Sequence, residues 1–151
     1  MVEQGDLALL DDPVAATLLT SREYARLAYV WPDGTPRVVP IWFHWTGEQI
    51  VLGTPPRAPK LTALVRHPRV AVSIDTSGWP AKVLMVRGDA TVELEDDVIP
   101  EYAAAAERYF GDAAEGWLGQ LRGQPMARVA ITPQWAGIID FETRFPSALS
   151  V

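Results

Sequence analysis

The segment TPPRAPKL, residues 54–61, contains the residue types that hold an anion. It stands directly before an apolar pattern with helical spacing, which places Arg57 and Lys60 at the positive end of a predicted helix, where a cation costs roughly 0.3–1 kcal/mol. A phosphate bound there would reverse that sign, because helix N–H groups, the Thr54 hydroxyl, an arginine fork and a lysine ammonium all donate hydrogen bonds to phosphate oxygens. The same spacing is equally consistent with two solvated surface charges whose interaction with the helix is screened. The residues alone therefore predict either a phosphate site or an ordinary polar surface.

A flat apolar slot for a conjugated ring is the second chemical feature of the chain. Such sites are mostly apolar with a few polar groups. The loop around Trp79 could supply one wall, and Arg87 could place a cation beside an anionic ring or phosphate, although an outward-facing strand arginine is slightly more common. The other wall would come from four consecutive residues of a predicted strand: Val39, Pro40, Ile41 and Trp42.

The protein's own side chains offer little for difficult chemistry. The chain has no cysteine and two histidines, and it lacks the G-x-S-x-G and H-E-x-x-H motifs. His44 lies in an aromatic strand and His67 in the last turn of a helix, where structural roles are favoured over catalytic or ligating ones. Zinc is not expected, because the usual nitrogen and sulfur ligands are missing, so no metal site is predicted. An organic cofactor would have to supply the chemistry.

Six predicted strands and a few short helices would position these residues. Because the turns are short and most strands follow one another without a helix, the pattern favours an antiparallel barrel over a parallel α/β sheet. We predict a mainly β (α+β) fold in a single domain spanning residues 1–151. The predicted strands are 24–31, 37–45, 49–54, 69–75, 82–94 and 126–142, with helices at 13–20, at 58–67 and between Pro100 and Gly111.

Individual residues mark where these elements begin, bend or end. Asp12 followed by Pro13 is typical of the cap and first position of a helix. Pro40 removes a hydrogen-bond donor, which predicts that its strand lies at an edge or a bulge. Gly88 indicates a bulge or bend in the long fifth strand.

Composition limits the classes of partner. The chain has 151 residues and a net charge of −6, and this acidic balance argues against a general nucleic-acid or anionic-membrane binder. The acidic N-terminal segment does not have the pattern of a signal peptide. The absence of cysteine fits a reducing compartment. We therefore expect a cytoplasmic protein without nucleic-acid or membrane partners.

Three segments in order, DGTPRVVPIWFHW, RAPKLTALVRHPRVAVSID and VLMVRGDATVE, resemble the pyridoxamine 5′-phosphate oxidase-like split-barrel superfamily. The resemblance covers about residues 24–95 and the final strand. It implies a six-stranded antiparallel split β-barrel that forms homodimers and binds FMN, or 8-hydroxy-5-deazaflavin coenzyme, across the subunit interface. It further implies that Thr54, Arg57 and Lys60 contact the cofactor phosphate and that residues 39–42 flank the ring. The C-terminal TRFPSALSV lacks the Arg/His pattern of true pyridoxamine phosphate oxidases, so pyridoxine chemistry is not implied.

Three functional hypotheses follow from the residues and the resemblance together. The first is an FMN-dependent oxidoreductase that transfers hydride to or from a small organic substrate. The second keeps this chemistry with deazaflavin coenzyme as a cosubstrate. The third is a non-catalytic flavin- or haem-binding module, in which His44 or His67 would ligate haem iron. No residue is assigned as catalytic, and Tyr29 and His44 are the candidates for proton transfer.

Overall fold

Seven antiparallel strands form a single sheet in the computed structural model, which describes residues Val2–Pro146. Their order across the sheet is β2-β1-β5-β6-β7-β4-β3, and the sheet is split-barrel-like rather than closed. The predicted mainly β (α+β) class is confirmed. The strands are β1 (Ala25–Val30), β2 (Pro36–Ile41), β3 (His44–Trp45), β4 (Ile50–Thr54), β5 (Arg69–Asp75), β6 (Val83–Glu95) and β7 (Met126–Ile139).

Short helices pack against both faces of this sheet. None of those in the described part of the chain is both long and apolar enough to cross a membrane. The α-helices are α1 (Pro13–Leu19), α2 (Lys60–Arg66), α3 (Pro100–Phe110) and α4 (Ala114–Leu121), and short 3₁₀ helices span Leu7–Asp11 and Gly111–Ala113.

The second predicted strand, 37–45, is divided in the structure. β2 ends at Ile41 and β3 begins at His44, so Trp42 and Phe43 leave the sheet between them. Phe43 is fully buried and its carbonyl accepts a hydrogen bond from Arg108 of α3. The sequence does not show this break, because the stretch is apolar throughout. Packing against α3, rather than local propensity, places the two residues outside the sheet.

Pro40 and Gly88 have the structural roles that the sequence predicts. β2 is an edge strand that pairs with β1, so Pro40 removes no ladder bond from the interior of the sheet. The register between β6 and β7 shifts between Arg87 and Gly88. A Cβ atom at Gly88 would overlap the backbone carbonyl of Thr132, so the bulge requires glycine.

The two faces of β4 pack against different parts of the molecule. Ile50 and Leu52 are buried in the main core, together with residues from the other strands and from α1 and α2. Val51 points the other way, into a smaller cluster with Ile99 and Met126 beneath α3. Because side chains alternate along a strand, Gly53 is on the α3 side and Thr54 on the core side.

Candidate functional site

Two tight turns connect β4 to α2 and carry the predicted anion-binding residues. The amide of Ala58 donates to the Pro55 carbonyl and that of Leu61 donates to the Ala58 carbonyl, each at 3.0 Å. Pro59 precedes α2 and provides no side-chain hydrogen bond to its first turn. The start of this helix is therefore uncapped by the chain.

Thr54, Arg57 and Lys60 lie close together in sequence on this short connection. Thr54 is buried at the end of β4, Lys60 is half-buried and Arg57 is exposed. Within the described residues, no side chain or backbone group is recorded as a partner of the Thr54 hydroxyl, and neither cation forms an ion pair. A hydroxyl and two cations without partners are donors that a phosphate would satisfy.

Burial lowers the pKa of the Lys60 ammonium. Desolvation disfavours the charged form of a lysine, and the described residues supply no carboxylate that offsets it. A bound anion would favour the charged form again. The electrostatics of Lys60 thus fit an anion site better than a salt-bridged surface position.

An aromatic cleft of about 280 Å³ lies at the ends of β2 and β4. Three of its lining residues are among those predicted to flank a ring, and the other three were not identified from the sequence. None of the lining side chains is charged. The cleft is lined by Tyr24, Pro40, Ile41, Trp42, Gly53 and Tyr102.

The cleft and the anion-binding residues are continuous along the chain. Gly53 lines the cleft, and Thr54 follows it directly. A Cβ atom on Gly53 would lie 2.7 Å from Cδ2 of Tyr102 and 2.8 Å from Sδ of Met126. Glycine therefore allows α3 to approach β4 closely and to bring Tyr102 into the cleft wall.

Helix α3 fixes Trp42 in place. The indole stacks on Tyr109 with ring centroids 5.0 Å apart and an interplanar angle of 13°. Phe110 meets it edge-on at 4.8 Å, and Tyr102 lies 5.7 Å away. The Tyr109 hydroxyl donates to the Glu23 carbonyl at 2.8 Å, which ties α3 to the chain beside the cleft. The aromatic wall is therefore preorganised.

Trp79 and Arg87, which the sequence analysis also proposed as cofactor contacts, do not line this cleft. Trp79 is 78% exposed in the loop between β5 and β6 and packs against Phe141 at 5.1 Å. The Arg87 guanidinium lies 3.9 Å from the centre of the Trp135 ring. Within one chain, these two residues are separate from the residues around the cleft. Val39 packs against the main core beside Ile41.

The candidates for proton transfer and haem ligation also lie elsewhere. His44 lies on β3, and its Nδ1 is buried without a hydrogen-bond partner in the described residues. Its pKa is lowered by burial and further by the Arg108 cation, with Glu101 acting in the opposite direction. Tyr29 lines a different groove, and His67 ends α2. Neither histidine is among the residues that line the cleft.

Sequence reasoning missed Tyr24, Gly53 and Tyr102 as cleft residues. Tyr102 was placed correctly on a helix, but the face of the sheet that this helix covers depends on tertiary packing. Gly53 carried a usable signal, because a glycine inside an apolar strand often marks close approach of another segment. Tyr24 precedes β1 and carried no comparable signal.

The chain belongs to the pyridoxamine 5′-phosphate oxidase family, whose sequence profile matches residues 12–139. This match spans every strand of the sheet, all the residues that line the cleft and the predicted anion-binding loop. A search among curated proteins gave no match.

Similar solved structures include proteins with different ligands. F420 reductase is 26% identical with a TM-score of 0.61, over 80% of this chain and 93% of that chain. A pyridoxamine 5′-phosphate oxidase-related, FMN-binding protein from Nostoc punctiforme is 17% identical with a TM-score of 0.58, over 80% and 75%. HutZ, a haem storage protein from Vibrio cholerae, is 20% identical with a TM-score of 0.61, over 85% and 93%. The last two likenesses concern the fold alone.

Proposed function

We propose that this protein is an oxidoreductase that uses bound FMN to transfer hydride to or from a small organic substrate. The observation that carries the proposal is the order of features along one short segment: Gly53 lines an uncharged aromatic cleft, Thr54 follows it, and Arg57 and Lys60 come next without an ion-pair partner among the described residues. This is the arrangement of donors that a flat ring joined to a phosphate requires. Membership of the family supports it.

Thr54, Arg57 and Lys60 would hold the phosphate. α2 has seven residues, so the site rests on these side chains and not on the helix dipole. The lysine contributes a point charge and the arginine a planar fork that binds two phosphate oxygens at once. Charge-assisted bonds of this kind contribute about 1.5–3 kcal/mol each.

Val39, Pro40, Ile41 and Trp42 would flank the ring. The aromatic contacts of Trp42 with α3 keep this wall rigid, and the apolar lining excludes water from one side of the bound ring. When bound, a flavin supplies hydride-transfer chemistry that the protein's own side chains lack. The protein's contribution is orientation, phosphate anchoring and a dry surface.

A deazaflavin coenzyme is the second candidate, favoured by the likeness to F420 reductase. The same phosphate-binding residues and the same cleft would serve it, because the two cofactors share a flat tricyclic ring and a phosphate. A haem-binding module is the third candidate, prompted by the likeness to HutZ. It would have to use His44 or His67, and neither lines the cleft.

A cytoplasmic homodimer with the cofactor at the subunit interface is part of the proposal. Val38, Val65 and Leu94 are about 70% exposed, which leaves apolar surface for a second copy to cover. Trp79 and Arg87 lie outside the cleft, so they would reach the cofactor only from a partner subunit. No nucleic-acid or membrane partner is proposed.

Titration of the cofactor-free protein with FMN, F420 and haemin, each followed by absorbance and fluorescence, tests the proposal. We expect saturable FMN binding and reduction of the bound flavin by a hydride donor. Binding of F420 with no binding of FMN would replace the first candidate by the second. A Soret band lost in His44→Ala or His67→Ala, with neither flavin bound, would contradict the proposed oxidoreductase.

A further inference from the structure

Tyr102 is a cleft residue whose polar atom is held by a side chain from outside the cleft. Its ring packs against Gly53 of β4, and its hydroxyl accepts a hydrogen bond from Nε1 of Trp117 on α4 at 2.9 Å. Tyr102 lines the cleft, whereas Trp117 does not. One hydroxyl of the cleft wall is therefore fixed by a second layer of the structure.

The packing of α3 against α4 places Trp117 beside Tyr102. Leu118, the next residue of α4, is buried with Ala106 of α3. The Phe110 ring meets the Trp117 ring edge-on, with centroids 6.3 Å apart. The Trp117 side chain nonetheless remains exposed, so it adds little to the core. Its polar contact with the chain is the hydrogen bond to Tyr102.

Hydrogen-bond accounting leaves the Tyr102 proton unused. An indole N–H only donates, so the contact with Trp117 occupies an acceptor position of the hydroxyl and not its proton. No acceptor for that proton is present among the described residues. Because a phenolic O–H prefers the plane of its ring, a donor on one side directs the proton to the other side. The Tyr102 proton is thus directed away from Trp117 and is available to a ligand.

Tyr24 shows what an unheld hydroxyl in the same cleft looks like. It also lines the cleft, but its side chain is exposed and its hydroxyl has no partner in the described part of the chain. Such a hydroxyl turns freely towards solvent. A donor that is already oriented, as in Tyr102, loses less conformational freedom when a ligand binds.

The apolar lining makes the Tyr102 proton selective. A ligand that fills the cleft beside Pro40 and Ile41 displaces the water to which this hydroxyl donates in the free protein. A ligand with an acceptor atom at its edge replaces that hydrogen bond. A ligand without one leaves the O–H unpaired and binds more weakly. The cleft therefore favours a flat ring that carries a carbonyl oxygen or an unprotonated ring nitrogen.

We propose that Tyr102 donates a hydrogen bond to an acceptor atom on the ring of the bound cofactor, and that Trp117 is the positioning residue that directs it. This inference rests on the proposed function, which assigns the cleft to the cofactor ring. The carbonyl oxygens and unprotonated nitrogens of a flavin are acceptors that gain negative charge when the ring is reduced. A donor at such an atom stabilises the reduced form more than the oxidised form. Tyr102 therefore raises the midpoint potential of the bound ring.

Binding titrations with FMN and riboflavin, together with the midpoint potential of the FMN-loaded protein, test this role in Tyr102→Phe and Trp117→Phe. Tyr102→Phe keeps the ring that packs on Gly53 and removes the hydroxyl. We expect the affinities for FMN and riboflavin to fall by a similar factor, about two- to tenfold, and the midpoint potential to become more negative. Trp117→Phe should shift the potential in the same direction by a smaller amount, because the hydroxyl remains but loses its fixed direction.

Tyr109→Phe is the matched control on the same helix. It keeps the ring that stacks on Trp42 and removes a hydroxyl whose proton already goes to the Glu23 carbonyl. This variant should leave the midpoint potential of bound FMN at the wild-type value. An equal shift in Tyr109→Phe and Tyr102→Phe would overturn the inference, because a general loosening of α3 would then explain both.

Failure of this inference is distinguishable from failure of the proposed function. If the wild type binds FMN and Tyr102→Phe changes neither riboflavin affinity nor the midpoint potential, the role of Tyr102 is overturned and the proposed function stands. Weaker binding of FMN with unchanged binding of riboflavin would also overturn it, because the hydroxyl would then act on the phosphate. A wild-type potential in Trp117→Phe would overturn the role of Trp117. A wild type that binds no flavin would overturn both this inference and the proposed function.

Discussion

Helices α1 and α2 have the same length, seven residues, and a proline stands at the start of each, Pro13 as the first residue of α1 and Pro59 directly before α2, but their first turns differ. Asp12 accepts a hydrogen bond from the amide of Val14 at 2.9 Å, and Arg144 donates to the same carboxylate at 2.7 Å. The first turn of α2 has no side-chain cap, and it begins with the half-buried cation Lys60.

The start of α1 therefore has a structural role, whereas a bound ligand would have to provide the missing partners at the start of α2. The chain itself satisfies the first turn of α1, and its Asp12 also ties the N-terminal region to the segment after β7. The first turn of α2 begins with the cation Lys60 and has neither a side-chain cap nor an acidic residue. The proposed phosphate would supply the missing negative charge.

The largest expected effect is on cofactor affinity when both cations near α2 are removed. Arg57→Ala combined with Lys60→Ala should weaken FMN binding by about 3 kcal/mol or more, which is roughly a hundredfold or greater rise in Kd. The free energy of unfolding of the cofactor-free protein should not fall, because neither cation has a partner among the described residues and the loss of Lys60 removes the cost of burying its charge. Fluorescence titration and urea unfolding measure the two quantities.

A control with the same loss of charge is Arg22→Ala combined with Lys82→Ala. Lys82 forms an exposed ion pair with Glu142 at 3.5 Å, which contributes about 0–1 kcal/mol at most. This variant should bind FMN as tightly as the wild type. Equal weakening of FMN binding in the two double variants would show that the loss of net charge alone explains the effect. That result would contradict a local phosphate site.

At α1, the expected effect is on stability and not on binding. Asp12→Ala removes a helix cap and one carboxylate from Arg144, so the free energy of unfolding should fall by about 1–3 kcal/mol. FMN affinity should be unchanged. Asp11→Ala, a substitution of the neighbouring exposed aspartate, is the matched control and should have little effect. A loss of FMN affinity in Asp12→Ala would remove the distinction between the two helices.

Acid should weaken the contacts that hold the start of α1. The hydrogen bond from Arg144 lowers the pKa of Asp12. For Asp140, burial opposes the shift, but hydrogen bonds from backbone amides that include Thr143 and Arg144 outweigh it and lower the pKa. A carboxyl with a lowered pKa stabilises the fold above its unfolded value of about 3.9, and that contribution is lost as pH falls through the folded pKa.

The difference in unfolding free energy between wild type and Asp12→Asn should therefore shrink as pH falls below about 4. Urea unfolding at a series of acidic pH values measures it. A difference that stays constant across this range would show that the Asp12 charge does not contribute.

The smallest effect concerns α2 and occurs at alkaline instead of acidic pH. Because burial lowers the pKa of Lys60, the charged lysine destabilises the cofactor-free fold at neutral pH. That penalty should disappear as pH rises from the folded pKa towards the unfolded value of about 10.4. Wild type should gain stability relative to Lys60→Met over this window. Saturation with FMN should remove the gain, and a gain that persists with FMN bound would contradict a contact between Lys60 and the phosphate.

Local features of the sequence predicted much of the fold. Turn residues and apolar patterns placed most strands, Pro40 identified an edge strand, and Gly88 identified a bulge. The break at Trp42 and Phe43 was missed, because both residues suit a strand and contacts with α3 decide their position. Local sequence patterns show which secondary structure a segment prefers, but they do not show which other segment packs against it.

The same limit applies to the candidate site. The anion-binding loop lies within a few consecutive residues, so its composition was visible in the sequence. The cleft combines Tyr24, Gly53 and Tyr102 from three distant segments, and no local pattern relates them.

The central claim is that the loop between β4 and α2 binds a cofactor through its phosphate. The most direct test compares the dissociation constants of FMN and riboflavin, which share one ring and differ in the phosphate. We predict that the wild-type protein binds FMN at least a hundredfold more tightly, about 3 kcal/mol, and that Arg57→Ala with Lys60→Ala removes this preference. Equal affinity for the two flavins in the wild type, or a preference that survives in the double variant, would contradict the claim.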